Sequence, residues 1–374
     1  MAVIMLFAAQ SASGQNLPMK LQDGFDYTLR VLGYAISQNP EKSYLNPSNI
    51  LGLANHQFEL DLRPDFSLDT GPVYLGLKPR MDASIRNWSE GLQNDQTDSD
   101  AEFYIQEWQT KYRPFDQFCV SYGRENLQWG PSFLLSPSNP FNAENGRNNP
   151  KKEVASSDYG KAVWTPNSTW TASFIANTAE GRLERGDDFK PAYALKTDCT
   201  TEGKSFSLIV SKQGSEDPVA GLFGSWNTTD STILYCEART GKGDNEIIVG
   251  NSITMQNGGI LVLEYFHNSD GNSHDPAILL VPPFHEIDQH DIFLRKNYFL
   301  VQYSQPNMAK SLDLTLRWTI NLDDSSCLLT GLTEYEIGDH AKLFALGLLT
   351  AGGENDEFGN ILNNSVMAGI DYIF

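Results

Sequence analysis

The residues best placed to do chemistry are charged ones set singly among apolar neighbours: Arg124, Glu125, Glu264, Arg317 and Asp371. Alternate residues of a strand share one face, so such charges gather on one side of a sheet. If that sheet closes on itself, the charged side lines an interior passage, where arginines focus the field and favour anionic solutes. Arg124 and Glu125 are adjacent, which leaves open which of them points inward. The plainer reading is a ladder of interior ion pairs that stiffens the wall, and both readings stand at this level.

Other chemistries find less support. His274, His285 and His290 lie among Asp275, Glu286, Asp288 and Asp291, but their spacing is irregular and does not match a set of converging metal ligands. Cys119, Cys199, Cys236 and Cys327 are far apart and form no CxxC pair. Cys199 and Cys236 could pair in an oxidising compartment, or the cysteines serve as small apolar strand residues. The sequence holds no GxSxG, HExxH or phosphate-binding loop, and no histidine has a context that links it to a serine nucleophile. We therefore expect no enzyme, no catalytic residue, no metal site and no cofactor. A haem would have to come from a partner, since there is no CxxCH.

The 374 residues carry a formal charge of -20. Acidic residues concentrate in polar stretches such as 89–100, 184–188 and 354–357. No basic stripe exists to hold nucleic acid, and the acidic stretches read as solvated loops, with contact to divalent cations and lipopolysaccharide as the sharper alternative. Mean hydropathy is -0.37, and no apolar run approaches the roughly 20 residues of a membrane helix. A barrel is still allowed, because only every second strand residue must face lipid.

The positioning elements are strands. In 312–322, Leu312, Leu314, Leu316, Trp318, Ile320 and Leu322 share one face, and Asp313, Thr315, Arg317, Thr319 and Asn321 the other. Alternating segments fall at 25–38, 51–63, 72–88, 101–113, 116–129, 159–165, 168–176, 189–198, 204–213, 217–226, 231–240, 244–254, 258–268, 297–305, 310–322, 326–337, 340–351 and 363–374. That is 18 strands, with 16 as the alternative, most near the 9–11 residues of a tilted membrane strand. Short connections (around 110–116, 166–168, 256–259 and 338–340) alternate with long ones (89–100, 130–158, 177–188, 269–296 and 352–362). Short turns on one rim and long loops on the other are expected of a bacterial barrel. The fold class is therefore all-β: a single antiparallel transmembrane β-barrel over 15–374, with no fixed-period repeat to suggest a propeller.

The last strand places Val366, Ala368, Ile370, Tyr372 and Phe374 on one face. An aromatic end with a second aromatic two residues earlier resembles the C-terminal signature of Gram-negative outer-membrane β-barrels. That resemblance implies that the barrel-assembly machinery reads Tyr372 and Phe374. At the other end, Met1 to Gln15 has a short apolar run followed by small residues, without a basic start. We read 1–14 as the remnant of a secretory signal.

The most distinctive run is Tyr122 to Phe141. Trp129-Gly130-Pro131 forces a sharp turn, and Phe133, Leu134, Leu135 and Phe141 need burial. Loop 130–158 is therefore expected to fold inward, with Arg124, Glu125, Trp129, Gly130, Pro131 and Arg317 at a constriction or in the lumen. The run is similar to a stretch of the polysaccharide-handling barrels of the alginate-export and Wzi capsule-assembly families, although there is no room for an added periplasmic helical bundle.

The leading functional expectation is a porin-like channel that passes small solutes or a polysaccharide across the outer membrane. The alternatives are a barrel that binds capsule at its loops and a barrel that sheathes a partner such as an electron-transfer cytochrome. Outer-membrane lipids and lipopolysaccharide would surround it. The sequence leaves the oligomeric state open.

Overall fold

The computed structural model describes residues 24–43, 46–148, 150–183, 189–273, 293–353 and 356–374. The expected signal remnant 1–14 and the histidines at 274, 285 and 290 lie outside these.

Eighteen strands make one closed antiparallel sheet. They are β1 (Phe25–Pro40), β2 (His56–Asp69), β3 (Val73–Asn87), β4 (Thr97–Phe115), β5 (Phe118–Glu125), β6 (Ser157–Trp164), β7 (Trp170–Ala179), β8 (Ala192–Thr201) and β9 (Lys204–Gln213). The circuit continues with β10 (Val219–Thr229), β11 (Thr232–Thr240), β12 (Asn245–Thr254), β13 (Ile260–Asn268), β14 (Asn297–Gln305), β15 (Leu312–Asn321), β16 (Cys327–Ile337), β17 (Ala341–Ala351) and β18 (Leu362–Ile373). Each strand pairs with its sequence neighbours, and β1 pairs with β18 from Arg30↔Ile373 to Pro40↔Leu362. Closure leaves no edge strand and satisfies the backbone inside the wall, as a non-aqueous surround requires.

Alternation decides which face is which. On β15, Arg317, Thr319 and Asn321 are buried, whereas Leu316 and Trp318 are 44% and 46% exposed. The same holds around the wall: Phe103, Leu195, Val249 and Leu349 lie bare on the outside. An apolar surface this continuous is insoluble in water and suited to lipid. Exposed aromatics gather toward both ends of this band. Phe115, Trp164, Trp170, Trp226, Tyr335 and Phe374 lie near the short turns, and Tyr122, Tyr193 and Tyr265 near the long loops. Amphipathic rings favour that interfacial level.

The expected strands appear one for one with several bounds shifted, among them the end of β2, at Asp69 rather than 63, and the start of β4, at Thr97 rather than 101. β2 begins at His56, five residues later than expected at 51. Leu51 and Leu53 mimic a strand, but their amides donate to the side chains of buried Asn46 and Asn49 at 3.1 Å, which makes them loop. β5 stops at Glu125, so Trp129 belongs to the loop. Arg113-Pro-Phe115 continues β4 through an irregular register, and only Asp116 and Gln117 turn the chain. Pro79 is tolerated inside β3 because the register shifts at Lys78/Pro79.

Cys199 and Cys236 cannot pair as they stand. β9 and β10 separate their strands, and at about 4.8 Å per strand the gap is roughly 14 Å, twice the reach of a disulfide. All four cysteines are free.

Candidate channel constriction

The connection 126–156 between β5 and β6 enters the barrel instead of capping it, and its first half is held by two buried acids. Gly130 adopts φ +87°, and a Cβ there would lie 2.2 Å from the Glu237 carboxylate, so only glycine fits. Glu237 accepts from Ser132 Oγ at 2.9 Å, Ser138 Oγ at 2.7 Å and the Ser138 amide at 3.2 Å. Glu264 accepts from the amides of Phe133 at 2.6 Å and Leu134 at 2.9 Å, and from Tyr235 Oη at 2.7 Å. Acceptors meeting several donors offset the cost of burying them.

Apolar burial fixes the same segment. Leu134 and Leu135 insert into a cluster of Tyr235, Ile248, Val262, Phe266, Tyr298 and Leu300. Phe141 fills a second cluster of Tyr159, Ile175, Ala192, Ala194 and Ile209, with the Trp129 ring edge-on at 5.9 Å. Each fully buried side chain of this kind contributes about 1.5–3 kcal/mol. The barrel's core is thus its own loop.

The second half crosses to the opposite wall. Arg147 Nη1 donates to the carbonyls of Pro131 and Ser132 at 2.8 and 2.6 Å and ties the two halves together. Arg317 donates from Nη1 to Asn148 Oδ1 at 2.5 Å and from Nε to Gln302 Oε1 at 2.9 Å. Lys151 Nζ meets Glu334 on β16 at 2.5 Å and Asp371 on β18 at 3.6 Å, and Asp371 in turn pairs with Arg30. Glu153 takes both Nε and Nη2 of Arg80 on β3 at 2.6 and 2.8 Å. Gln106 on β4 donates to the Val154 carbonyl at 2.8 Å. Wall strands on every side of the lumen therefore grip the loop. It presents Gln128, Glu144, Arg147 and Lys152 to water.

The structure gathers most of the residues singled out above. Glu264, Arg317 and Asp371 point inward and bind the loop. Glu125 points inward and pairs with Lys161 at 2.5 Å. Trp129, Gly130 and Pro131 lie at the loop's entry. Arg124 is the exception. It stands opposite Asp158 on the face that carries exposed Val120 and Tyr122, and its Nε meets Asp158 Oδ1 at 2.7 Å. One residue of β5 can point in at this level, and Glu125 does. Ion pairs recur along the inner wall, in Arg63–Asp61, Lys78–Glu107 and Lys196–Asp198. The stiffening ladder is thus present, and Arg317 acts as a loop anchor.

Glu237, Lys151, Glu153 and Arg80 escaped the sequence reading. Glu237 was detectable in principle, since Tyr235, Glu237 and Arg239 alternate with Leu234, Cys236 and Ala238. Lys151 and Glu153 look like any polar loop.

At the long-loop rim, Glu357 accepts from Tyr298 Oη, from the Leu294 amide at 2.9 Å and from Asn321 Nδ2 at 2.7 Å, joining its connection to the one before β14 and to the ends of β14 and β15. Burial pushes its carboxyl from 4.5 up to about 7. A raised carboxyl makes the folded state bind the extra proton, so its stabilisation is full below pH 4.5 and is lost as pH rises toward 7. Hydrogen exchange over 356–361 should therefore quicken between pH 5 and 8 relative to the intrinsic rate, and Glu357→Gln should flatten that dependence. Among the described residues no cluster of metal-ligating side chains occurs.

These features define an 18-stranded transmembrane-type barrel with an inward-folded loop. Known barrels share the fold. Acinetobacter baumannii OccAB3 matches at TM-score 0.60 and 12% identity, over 94% of this chain and 99% of that one. Pseudomonas aeruginosa OpdL matches at 0.61 and 11%, over 94% and 98%. Pseudomonas aeruginosa OprD matches at 0.58 and 9%, over 95% and 96%. At such identities the likeness is one of fold: a closed antiparallel barrel of 18 strands. No protein-family model and no curated protein matches the sequence. The likeness of 122–141 to alginate-export and capsule-assembly barrels gains no support from these matches. In this chain Gly130 and the residues that follow it serve to clamp the loop.

Proposed function

We propose that this chain is an outer-membrane porin: a passive channel for small polar solutes, with its passage set by the inward loop 126–156. The observation that carries the reading is the loop's attachment to opposite walls, through Glu237 and Glu264 on one side and through Arg80, Glu334 and Asp371 on the other. A loop clamped in this way narrows the lumen permanently, and selection then rests on width and on the charges left facing water. No covalent chemistry is needed. A polymer requires a wide or mobile path, which the clamped loop opposes. A sheath needs an empty lumen, and here the chain's own loop crosses it.

The apolar outer band and the porin-like fold support an outer-membrane location. In that setting the long loops face outward toward lipopolysaccharide, and Tyr372 and Phe374, 4.6 Å apart at the short-turn rim, are available to the assembly machinery. Purified protein in a planar bilayer tests the channel. Steady ohmic current is the expected result. Absence of current together with retained polysaccharide binding, or co-purification with a haem protein, would transfer the assignment to an anchor or a sheath.

A further inference from the structure

The outer wall carries one feature that a channel does not use. Across β8–β11 an outward row runs Cys199, Phe206, Gly224, Cys236, and the next row toward the short turns runs Thr201, Lys204, Trp226, Leu234. Gly224 and Cys236 are neighbours in register and contribute almost no bulk, whereas Phe206, Trp226 and Leu234 stand up around them at 50%, 52% and 42% exposure. The result is a groove of about 560 Å³, within the roughly 300–1,000 Å³ usual for small-ligand sites. Gly224 cannot readily be larger, because a Cβ would lie 2.9 Å from the Ser205 carbonyl oxygen. Lys204 stands exposed at the short-turn end, its Nζ 5.1 Å from the centre of the Trp226 ring.

We propose that this groove is a specific phospholipid site, with an acyl chain lying over Gly224 and Cys236 and the phosphate held by Lys204. The inference rests on the membrane reading above. The groove is continuous with the apolar band, so an acyl chain is what it meets in a bilayer. Lys204 beside an interfacial tryptophan lies at the level where lipid phosphates lie. In a chain of net charge -20, an exposed cation at the end of this groove complements a phosphate. Lipid tails are as apolar as the groove walls, so retention rests on fit and on the phosphate contact; a gap that accepts part of one chain separates a retained lipid from freely exchanging neighbours.

Native mass spectrometry of the detergent-purified full chain with added phosphatidylglycerol tests this. The wild type should keep one lipid per barrel at a collision energy that strips all others. Cys236→Trp fills the groove and should lose that lipid. Lys204→Glu, at the exposed first position of β9, should lower its retention several-fold and keeps the test decisive if the tryptophan variant does not fold. Equal retention in wild type and Lys204→Glu overturns the site, as does a second barrel occupying the face instead of lipid. Heat-modifiable migration of the same preparations separates the two levels of failure. A protein that is soluble without detergent and shows no heat-dependent shift refutes the membrane reading, whereas a heat-modifiable barrel without the retained lipid refutes only the groove.

Discussion

Replacing residues 128–154 with a short Gly-Ser turn should raise single-channel conductance several-fold and weaken discrimination between ions. The loop is the only described segment that crosses the lumen, and conductance through a barrel is limited at its narrowest section. The wall should survive, because each strand is paired on both sides independently of the loop. It would lose the burial of Leu134, Leu135 and Phe141, leaving an apolar patch inside the barrel. The matched control is Arg124→Ala. Arg124 lies on the outer face with Asp158, so conductance and selectivity should stay at the wild-type level. Planar-bilayer recordings read both variants. An unchanged conductance without the loop would mean that the passage is limited elsewhere.

The second large effect is expected at Glu264. Glu264→Leu removes the acceptor for two backbone amides and the Tyr235 hydroxyl while keeping the site buried. Each donor left unpaired costs about 1–3 kcal/mol, so the loop's closed position should lose on the order of 3 kcal/mol. Trypsin cleavage at Arg147 and Lys152, both exposed to water, should then accelerate roughly a hundredfold if cleavage follows the opened population. Glu264→Gln keeps an acceptor and should fall between. Current noise should rise in the same order. Cleavage at the wild-type rate in Glu264→Leu would show that apolar burial alone holds the loop.

Much of this architecture was legible because a barrel wall repeats one simple rule. Two-residue alternation, as in 312–322, reports both the strand and its facing, and the short-long rhythm of connections reports the rims. The rule failed where side chains replaced the ladder. Leu51 and Leu53 alternate like a strand, yet asparagine side chains take their amides. The inward loop was legible from Trp129-Gly130-Pro131 and the apolar residues after it, since four large apolar side chains in a turn-rich stretch must find cover. Its anchors were harder to read. Lys151 reaches Glu334 and Asp371, and Glu153 reaches Arg80, across separations that no local pattern encodes. The facing of Arg124 and Glu125 was undecided because adjacent residues differ only by register, and β5 ends too soon after them for alternation to settle it.

Swelling of proteoliposomes in a graded series of sugars, from monosaccharides to long oligosaccharides, reads the width of the passage. Rapid swelling with monosaccharides, a sharp fall with increasing solute size and no entry of polymers are the expected results. Entry of long oligosaccharides as fast as monosaccharides, or no solute-dependent swelling at all, would contradict a small-solute channel narrowed by loop 126–156.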